Sequence, residues 1–228
     1  MAEVKHAAPA ESEVVVDRAK DMWSQYKRPV TGFLIGIVLG VGGFLAYKFF
    51  VKEPNENKAA EAIFKAEEYY RMDSLSLALK GDGQFPGFEK VISQYGGTKA
   101  GNLARFYAGS ILLKQGDSKK AATYLEDFNT DAKQVQARAY KLLADAYADQ
   151  GKNKEAFSNY KKAAAAFEAD EAFSAEALFL AAYLADRVLN EKKEAVELYK
   201  QIKAKFPQTQ FGYEADRYLA QNGVYTTE

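Results

Sequence analysis

Few side chains in this sequence are of a type and spacing that could do acid–base or metal chemistry. Asp145 and Asp149 lie one helical turn apart, and Glu67 and Glu68 are adjacent, so either pair could supply an acid and a base or ligate a hard cation. No histidine, activated serine or glycine-rich phosphate loop accompanies them. Charged residues at this spacing usually form the solvent face of an amphipathic helix. We therefore predict that the protein is not an enzyme and has no cofactor or metal.

The composition narrows the function classes further. The chain has no cysteine, and its one histidine, His6, lies in a polar N-terminal stretch. These counts exclude disulfides, thiolate metal sites and cysteine nucleophiles, and they leave no histidine placed for catalysis. Lys and Arg total 31, as do Asp and Glu, so no overall field draws the chain to nucleic acid. With 228 residues, one domain plus extensions is expected.

An apolar stretch near the N-terminus is long enough to cross a membrane. Residues 30–47 carry no charge, and Phe49, Phe50 and Val51 extend the stretch beyond Lys48. A transmembrane helix needs roughly 20 apolar residues, whereas a long helix of a soluble protein normally keeps a polar face. The stretch follows a long tail and ends without a small-residue cleavage site, which argues against a signal peptide. We predict a tail over 1–28, a transmembrane helix over 29–51 and a linker over 52–58.

The flanks of this stretch bear on its orientation. Trp23, Tyr26 and Tyr47 resemble the aromatic belts found at membrane surfaces. The nearby basic residues are equal in number on the two sides: Arg18, Lys20, Lys27 and Arg28 before, and Lys48, Lys52, Lys58 and Lys65 after. Because Lys27 and Arg28 form the tighter cluster, we favour a cytoplasmic N-terminus and a large domain outside the cytoplasm.

Glycines recur every four residues within the apolar stretch, at Gly32, Gly36 and Gly40. This spacing places a shallow groove along one helix face, where another transmembrane helix can approach closely. Glycine is also frequent in membrane helices generally. We predict that this face packs against a partner helix in the membrane.

The remainder of the chain repeats itself. Three similar stretches begin at Ala104, Ala137 and Ala175. Gly116 and Gly151 occupy the same turn in the first two, and Asn190 with Glu191 replaces the glycine turn in the third. Each stretch is interpreted as two antiparallel helices that approach closely at small residues. The small residues of the two helices are Gly109, Ala144 and Ala182, and Ala121, Ala156 and Ala195.

An additional half-repeat precedes these stretches. The sequence from Phe88 to Gly101 aligns with that from Tyr199 to Gly212. Its partner helix is predicted over residues 59–79, followed by a turn at residues 81–83. The candidate core residues of this helix are Ile63, Phe64, Tyr70 and Leu75.

This pattern of small residues, glycine turn, alanine, aromatic residue and a closing proline at Pro207 resembles the tetratricopeptide repeat. The period of roughly 33 to 40 residues is typical of that class. The resemblance implies an all-α protein, in which a single N-terminal transmembrane helix is followed by an α-solenoid of antiparallel helix pairs over 59–228.

The combination of anchor and repeats resembles a narrower family. The run from Phe33 to Phe50, preceded by an amphipathic tail and followed by the repeats, is similar to the ancillary subunit of the bacterial SecYEG translocon. The resemblance implies a single-pass inner-membrane protein with a periplasmic repeat domain. The implied partners are the translocon, a membrane-anchored prolyl-isomerase-like chaperone and secretory clients.

Repeat stacks usually bind partners along the concave surface formed by their first helices. Aligning the repeats places thirteen residues on that surface: Phe106, Ser110, Leu113, Lys114, Arg138, Lys141, Asp145, Asp149, Glu176, Phe179, Tyr183, Asp186 and Arg187. The mixture of aromatic, basic and acidic groups suits a peptide segment. The charged members are equally compatible with an ordinary solvated surface.

Two functions fit these features. The first is a non-catalytic, membrane-tethered adaptor that presents a protein-binding surface outside the cytoplasm and assists the Sec translocon and envelope chaperones in export. The second is a structural scaffold for envelope assembly or cell division, which would use the same repeats without handling secretory clients. The sequence does not separate the two.

Overall fold

The computed structural model describes residues 11–225 and contains helices throughout that range. His6 lies outside the described residues. The helices are α1 (Glu11–Tyr47), α2 (Glu53–Arg71), α3 (Leu75–Lys80), α4 (Phe88–Tyr95), α5 (Lys99–Lys114), α6 (Ser118–Glu126), α7 (Lys133–Asp149), α8 (Asn153–Ala166), α9 (Glu171–Arg187), α10 (Lys192–Lys205) and α11 (Gln210–Gln221). Within the described residues the only β-type pairing is an isolated bridge between Gly81 and Pro86, so the all-α prediction is confirmed. The chain divides after Pro54 into two compact units.

The first unit consists mainly of α1, which runs for 37 residues and includes Pro29. A π-helical turn, Lys48–Lys52, follows it, in which the Glu53 N–H donates to the Lys48 carbonyl. The segment expected to be a linker, residues 52–58, is helical in the structure and forms the end of this turn and the start of α2. Pro54, which has no backbone N–H to donate, is the second residue of α2 and directly follows the π-helical turn and Glu53.

In the second unit, one turn geometry recurs between the two helices of each pair. Gly116 and Gly151 have positive φ angles of 81° and 71°, and Asn190 adopts the same left-handed region at 56°. The prediction that Asn190 replaces the glycine turn is therefore confirmed. Asn is among the few residues besides Gly that enter this region at modest cost.

Asp73 shows that one more helix pair precedes these three. Its φ of 56° matches that of Asn190. The following residue, Ser74, has φ −81° and ψ 62°, close to the −90° and 65° of Asp117 after Gly116. The predicted helix over 59–79 is therefore interrupted, since α2 already ends at Arg71 and the turn between the helices of this pair lies at 72–74. The predicted turn at residues 81–83 lies instead in the loop that follows α3.

The second helix of this first pair is interrupted by a loop. The pair consists of α2 with α3 and α4, and residues 81–87 lie between α3 and α4. Ala78 stands five residues after the left-handed Asp73, as Ala121 does after Gly116, and both alanines are fully buried. Phe88, on the far side of the loop, is also fully buried and continues the core of this helix. The loop shifts the sequence spacing, which is why the alignment recovered only the half after it.

Small residues let the two helices of each pair approach closely, as predicted. Gly109 is buried, and a Cβ added to it would lie 2.5 Å from Cγ of Leu125 on α6. The corresponding alanines are fully buried in all the pairs: Ala66, Ala144 and Ala182 on first helices, and Ala78, Ala121, Ala156 and Ala195 on second helices. Because interiors are close-packed, a side chain larger than alanine at these positions forces the helices apart.

A Thr-x-x-Gly motif joins successive pairs at two places. The Thr98 hydroxyl accepts from the Gly101 N–H at 3.0 Å, and the Thr209 hydroxyl accepts from the Gly212 N–H at 3.0 Å. The threonine caps the next helix, while the glycine allows the preceding carbonyl to come close. A Cβ at Gly101 would lie 1.9 Å from the Tyr95 carbonyl oxygen, so no other residue fits without a backbone shift.

The buried residues of the repeats form two clusters. One contains Ile63, Phe88, Ile111 and Leu125, and the other contains Tyr160, Phe179, Tyr199 and Leu219. Both clusters include residues of α7: Leu143 and Ala146 belong to the first cluster, and Ala144 belongs to the second. The repeats therefore share cores between neighbours rather than having one central core, as expected for a solenoid.

One predicted core residue is not in the core. Phe64 is 62% exposed, whereas Ile63 is buried and Tyr70 and Leu75 are half-buried. Phe64 occupies the position of Tyr107 in the next pair, where the tyrosine ring stacks on Phe88 at 5.0 Å. Tyr107 thus packs on the pair before it, whereas α2 is the first helix of the stack.

Candidate protein-binding face of the repeats

The residues predicted to bind a partner lie on the first helices of the pairs, and contacts connect several of these helices. The Nζ of Lys141 on α7 lies 3.3 Å from a carboxylate oxygen of Glu176 on α9. The ring of Tyr183 on α9 makes an edge contact with Tyr218 on α11, at 6.1 Å between centroids. Neighbouring first helices therefore form one face. This first-helix face consists of the thirteen residues predicted above and the residues on α2 and α11 that contact them.

On α5, the predicted residues are partly covered. Ser110 is buried, and its hydroxyl oxygen lies 3.3 Å from that of Tyr70 on α2. Phe106 is half-buried against Phe128, at 5.4 Å between ring centroids. Lys114 is exposed, with Nζ 5.9 Å above the Tyr70 ring, and Leu113 is half-buried. Of these residues, Lys114 is the one that a partner can reach most readily.

On α7, a chain of polar contacts crosses the face. The Tyr160 hydroxyl donates to Oδ1 of Asp145 at 2.6 Å, and the other oxygen of Asp145 accepts from Lys141 at 3.4 Å. Lys141 reaches on to Glu176, as described above. Asp149 is exposed and accepts from the Ser118 hydroxyl at 3.3 Å, and Arg138 is exposed. Since Asp145 is committed to internal partners, its role here is to hold Lys141 in place.

On α9, the predicted residues separate into buried and exposed ones. Phe179 and Asp186 are both only 7% exposed, which differs from the expectation that they face a partner. Phe179 packs among aromatic residues of α10 and α11, including Tyr199 at 5.8 Å. Tyr183 and Arg187 are exposed, and they are the α9 side chains best placed for contact.

Arg187 is held in one orientation by several contacts. Its Nε lies 3.2 Å from a carboxylate oxygen of the buried Asp186. One of its terminal nitrogens donates to Gln221 at 2.5 Å, and its guanidinium lies 5.6 Å from the Tyr218 ring centre. Such a guanidinium loses little conformational entropy when a partner binds, which is typical of binding hot spots.

Two tyrosines beneath the face have strongly raised pKa values. Burial, together with the hydrogen bond to Asp145, raises the pKa of the Tyr160 hydroxyl far above its usual range. Burial and the nearby Asp186 carboxylate raise the pKa of Tyr199 in the same direction. Both hydroxyls are therefore neutral at physiological pH and serve packing and orientation rather than acid–base chemistry.

The sequence analysis missed four residues of this face: Tyr70 on α2, and Tyr218, Gln221 and Asn222 at the end of α11. Asn222 donates to Asp186 at 3.4 Å. The three α11 residues could have been found from the alignment of Gly212 with Gly101. Nine residues further on, that alignment places Gln221 at the position of Ser110, which was already assigned to the face.

The glycine face of α1 is open in the structure. A Cβ added at Gly32, Gly36 or Gly40 would meet no atom within 4 Å. Its predicted role in packing against another membrane helix stays a prediction. In the described part of the chain, α1 also provides the one helix that is long and apolar enough to cross a membrane, judged by length and composition.

Among the described residues, no group of three or more His, Asp or Glu side chains is arranged to hold a metal ion.

Comparison with known families finds that a model described as tetratricopeptide repeat matches residues 103–132 and 176–209. These segments correspond to the α5–α6 pair and to most of the α9–α10 pair. A search of curated proteins finds no match to this chain. The chain thus carries tetratricopeptide repeats, which mediate protein–protein interactions and are typically non-catalytic scaffolds.

Proposed function

We propose that this protein is a non-catalytic adaptor tethered to the bacterial inner membrane by α1, with its N-terminus in the cytoplasm and its repeats in the periplasm. There the first-helix face binds protein partners and assists the Sec translocon and envelope chaperones in protein export. The observation that carries the proposal is the presence, on one chain, of a helix with an uncharged apolar segment at residues 30–47 and of tetratricopeptide repeats.

The exposure of α1 supports the tether. Its apolar side chains are uncovered along the whole span, with Phe33 and Leu39 each 70% exposed. Leaving a large apolar side chain in water rather than burying it costs about 1.5–3 kcal/mol. A helix with this many uncovered apolar side chains is stable in a bilayer and aggregates in water.

The composition of the first-helix face supports protein binding. Arg187 and Tyr183 are exposed and ordered by contacts with α11, and Lys141 is fixed between two carboxylates. Arginine and tyrosine are enriched where binding energy is concentrated in protein interfaces. The mixture of charges suits a peptide segment better than a polyanion.

The link to export rests on the resemblance of the anchor and repeats to the ancillary translocon subunit. Tethering gives this link a physical basis, because it converts encounter with a neighbouring membrane complex into a nearly intramolecular event. Even a weak repeat surface is then occupied whenever clients emerge close by.

Two measurements test the tether and its direction. Full-length protein should remain with the membrane after extraction at alkaline pH. A reporter that is active only in the periplasm should be active when fused after residue 228 and inactive when fused before residue 1. Release by alkali, or the reverse reporter pattern, contradicts the proposed arrangement.

Site-specific crosslinking tests the partners. A photoreactive amino acid at Tyr183 should crosslink to a translocon component or an envelope chaperone in living cells. Tyr213 on α11 provides a matched control, because it is an exposed tyrosine outside the first-helix face. If mass spectrometry recovers neither class of partner from Tyr183, or recovers the same proteins equally from Tyr213, the export role is rejected.

A further inference from the structure

The C-terminal end of the first-helix face contains an arginine with unused hydrogen-bond donors. The Arg187 side chain is 44% exposed, and its Nε and one terminal nitrogen contact Asp186 and Gln221. Within the described residues, the other terminal nitrogen, Nη1, has no hydrogen-bond partner. Lys141, the other ordered cation of the face, lies within 3.4 Å of two carboxylates. Of these two cations, Arg187 is therefore the one with N–H donors available to a partner.

An exposed aromatic ring lies beside this arginine. Tyr183 precedes Arg187 by one helical turn, and its ring packs edge-on against Tyr218. Four residues of α-helix rise about 6 Å, which is close to the roughly 6.6 Å between residues two apart in an extended chain. An extended segment can therefore place one side chain on the guanidinium and its next side chain on the same side against the Tyr183 ring.

A buried hydroxyl without a partner lies beneath the arginine. Tyr199 on α10 is fully buried, and its hydroxyl makes no hydrogen bond within the described part of the chain. The nearby Asp186 carboxylate contributes to the raised pKa of Tyr199, so the two groups are close. In the preceding pair, the equivalent hydroxyl of Tyr160 donates to Asp145 at 2.6 Å. An unpaired buried hydroxyl is rare because it costs free energy.

Asp186 has an oxygen to spare for this hydroxyl. Its Oδ2 contacts Arg187 and accepts from Asn222 at 3.4 Å, whereas its Oδ1 has no partner among the residues that the structure describes. Turning the carboxylate toward Tyr199 satisfies both groups but loosens the ion pair with Arg187. That exchange leaves a cation unpaired unless another anion reaches the guanidinium.

We propose that this end of the first-helix face reads an acidic side chain, aspartate or glutamate, in an extended segment of the partner, with an apolar residue two positions away. The incoming carboxylate accepts from the free N–H donors of Arg187, a pairing that the planar guanidinium favours. The apolar side chain covers Tyr183. Asp186 then accepts from Tyr199, so the buried hydroxyl is paired in the bound state. This assignment rests on the protein-binding role of the face and adds the chemistry that the face recognises.

Peptide display tests this chemistry on the full-length protein. A library of random linear peptides on phage is selected against the wild type held in lipid nanodiscs. The peptides are fused through their C-termini, so an acidic side chain is the only carboxylate that they offer. The recovered peptides should share Asp or Glu at one position and an apolar residue two positions away.

A synthetic pair of peptides then measures the contribution of Arg187. The analogue in which the amide replaces the acid should bind the wild type at least about tenfold more weakly by fluorescence anisotropy. With Arg187→Gln, both peptides should bind equally weakly. Arg217→Gln is the matched control, because it removes the same charge from an exposed arginine that lies over Tyr218 at 5.1 Å. This control should keep the tenfold preference for the acid.

Tyr199→Phe tests the role of the buried hydroxyl. It should weaken binding of the acidic peptide about threefold or more, because Asp186 loses its alternative partner. The urea unfolding midpoint of the free protein should be unchanged or higher, because the hydroxyl is unpaired there. A tyrosine that serves only packing predicts unchanged binding, and that result overturns the exchange of Asp186.

Three further outcomes overturn the proposal. These are recovered peptides without a common acidic residue, the recovery of no peptide, and an acidic preference that survives Arg187→Gln. Failure of this proposal is distinguishable from failure of the adaptor role. Crosslinking at Tyr183 in living cells reports contact with a partner whatever the sequence of the bound segment.

Discussion

The first helix pair and the pair after it have the same backbone turn but different neighbours, and their residues differ accordingly. On α5, Ala104, Ala108 and Ile111 face the preceding pair and are fully buried. The same positions on α2 are Glu61, Lys65 and Glu68. α2 begins the stack, so a polar face there keeps the end of the solenoid soluble.

The loop in the first pair extends this contrast. It contains Asp82, which accepts from the Phe85 N–H at 2.7 Å and from the Tyr69 hydroxyl at 2.6 Å. These hydrogen bonds lower the pKa of the Asp82 carboxyl below its usual value. The loop thus closes onto α2, whereas the later pairs have an unbroken second helix. At equivalent repeat positions, residues covered by a preceding helix pair are therefore apolar, and residues without such a neighbour are charged.

The largest effect is expected from exchanging the residues of the two pairs at one position. Ala108→Lys gives the second pair the residue that the first pair has, and it buries an ammonium between packed helices. We expect a loss of more than about 4 kcal/mol of unfolding free energy, or no cooperative folding. Thermal and urea unfolding followed by circular dichroism measure it.

The reciprocal change is the control for this exchange. Lys65→Ala should leave the urea unfolding midpoint almost unchanged, because the ion pair with Glu68 is partly exposed. If the two changes have similar effects, the first and second pairs do not differ in their neighbours as described.

The next largest effect is expected where the two pairs join. Gly101→Ala places a methyl group against the Tyr95 carbonyl, and we expect a loss of about 3 kcal/mol. Gly97→Ala is the matched control, because a Cβ there meets nothing within 4 Å, and its effect should stay below about 0.5 kcal/mol. If Gly101→Ala and Gly97→Ala changed the unfolding free energy equally, the start of α5 could shift away from the Tyr95 carbonyl without cost.

A smaller, pH-dependent effect separates the third pair from the first. Tyr160 occupies the position of Phe88, so Tyr160→Phe removes a hydroxyl that the first pair lacks. The loss of its hydrogen bond to the Asp145 carboxylate should cost about 1.5–3 kcal/mol at neutral pH. The same contact predicts how stability changes in alkali.

The sign follows from the raised pKa of Tyr160. Below the unfolded-state pKa of tyrosine, about 10, the Tyr160 hydroxyl is protonated in both the folded and the unfolded state, and its full contribution to the unfolding free energy is present. Above it the unfolded state loses the proton first, so stability falls as the pH rises. Tyr147, whose pKa burial and the Glu126 hydrogen bond raise to about 12, adds to this fall. Urea unfolding between pH 8 and about 11 should show a shallower decline for Tyr160→Phe than for the wild type; parallel declines would contradict the assignment.

The smallest effect concerns the turn that all pairs share. Asp73→Gly relieves a left-handed conformation in the first pair and should stabilise the protein by up to about 1 kcal/mol. Gly116→Ala imposes the same strain on the second pair and should destabilise it by about 1 kcal/mol. The unfolding midpoint should rise for Asp73→Gly and fall for Gly116→Ala, both relative to the wild type. Shifts in the same direction would mean that the two turns are not equivalent.

The sequence predicted those features that depend on close approach, because only small residues permit it. Gly109, Ala144 and Ala182 marked the first helices, and Gly116 and Gly151 marked the turns. The turn at Asp73 was missed because aspartate adopts left-handed backbone without the signature of glycine, and the inserted loop displaced Phe88 from its expected spacing.

The candidate face was predicted less well than the fold. Helix register identified which residues point toward it, including Lys141, Tyr183 and Arg187. Register does not reveal how deeply a residue lies, so Phe179 and Asp186 were expected at the surface although α10 and α11 cover them. Phe64 shows the opposite error, since an aromatic residue at a packing position is buried only if a neighbour is present.

The sharing of α7 between the two core clusters has a mechanical consequence. We expect residues on either side of this helix to unfold as separate cooperative units, so that the half after α7 opens while the half before it stays folded. Amide exchange should accordingly be faster in α9–α11 than in α4–α6, or the reverse, but not uniform. A partner that lies across α7 would tie the two halves together and make them unfold as one.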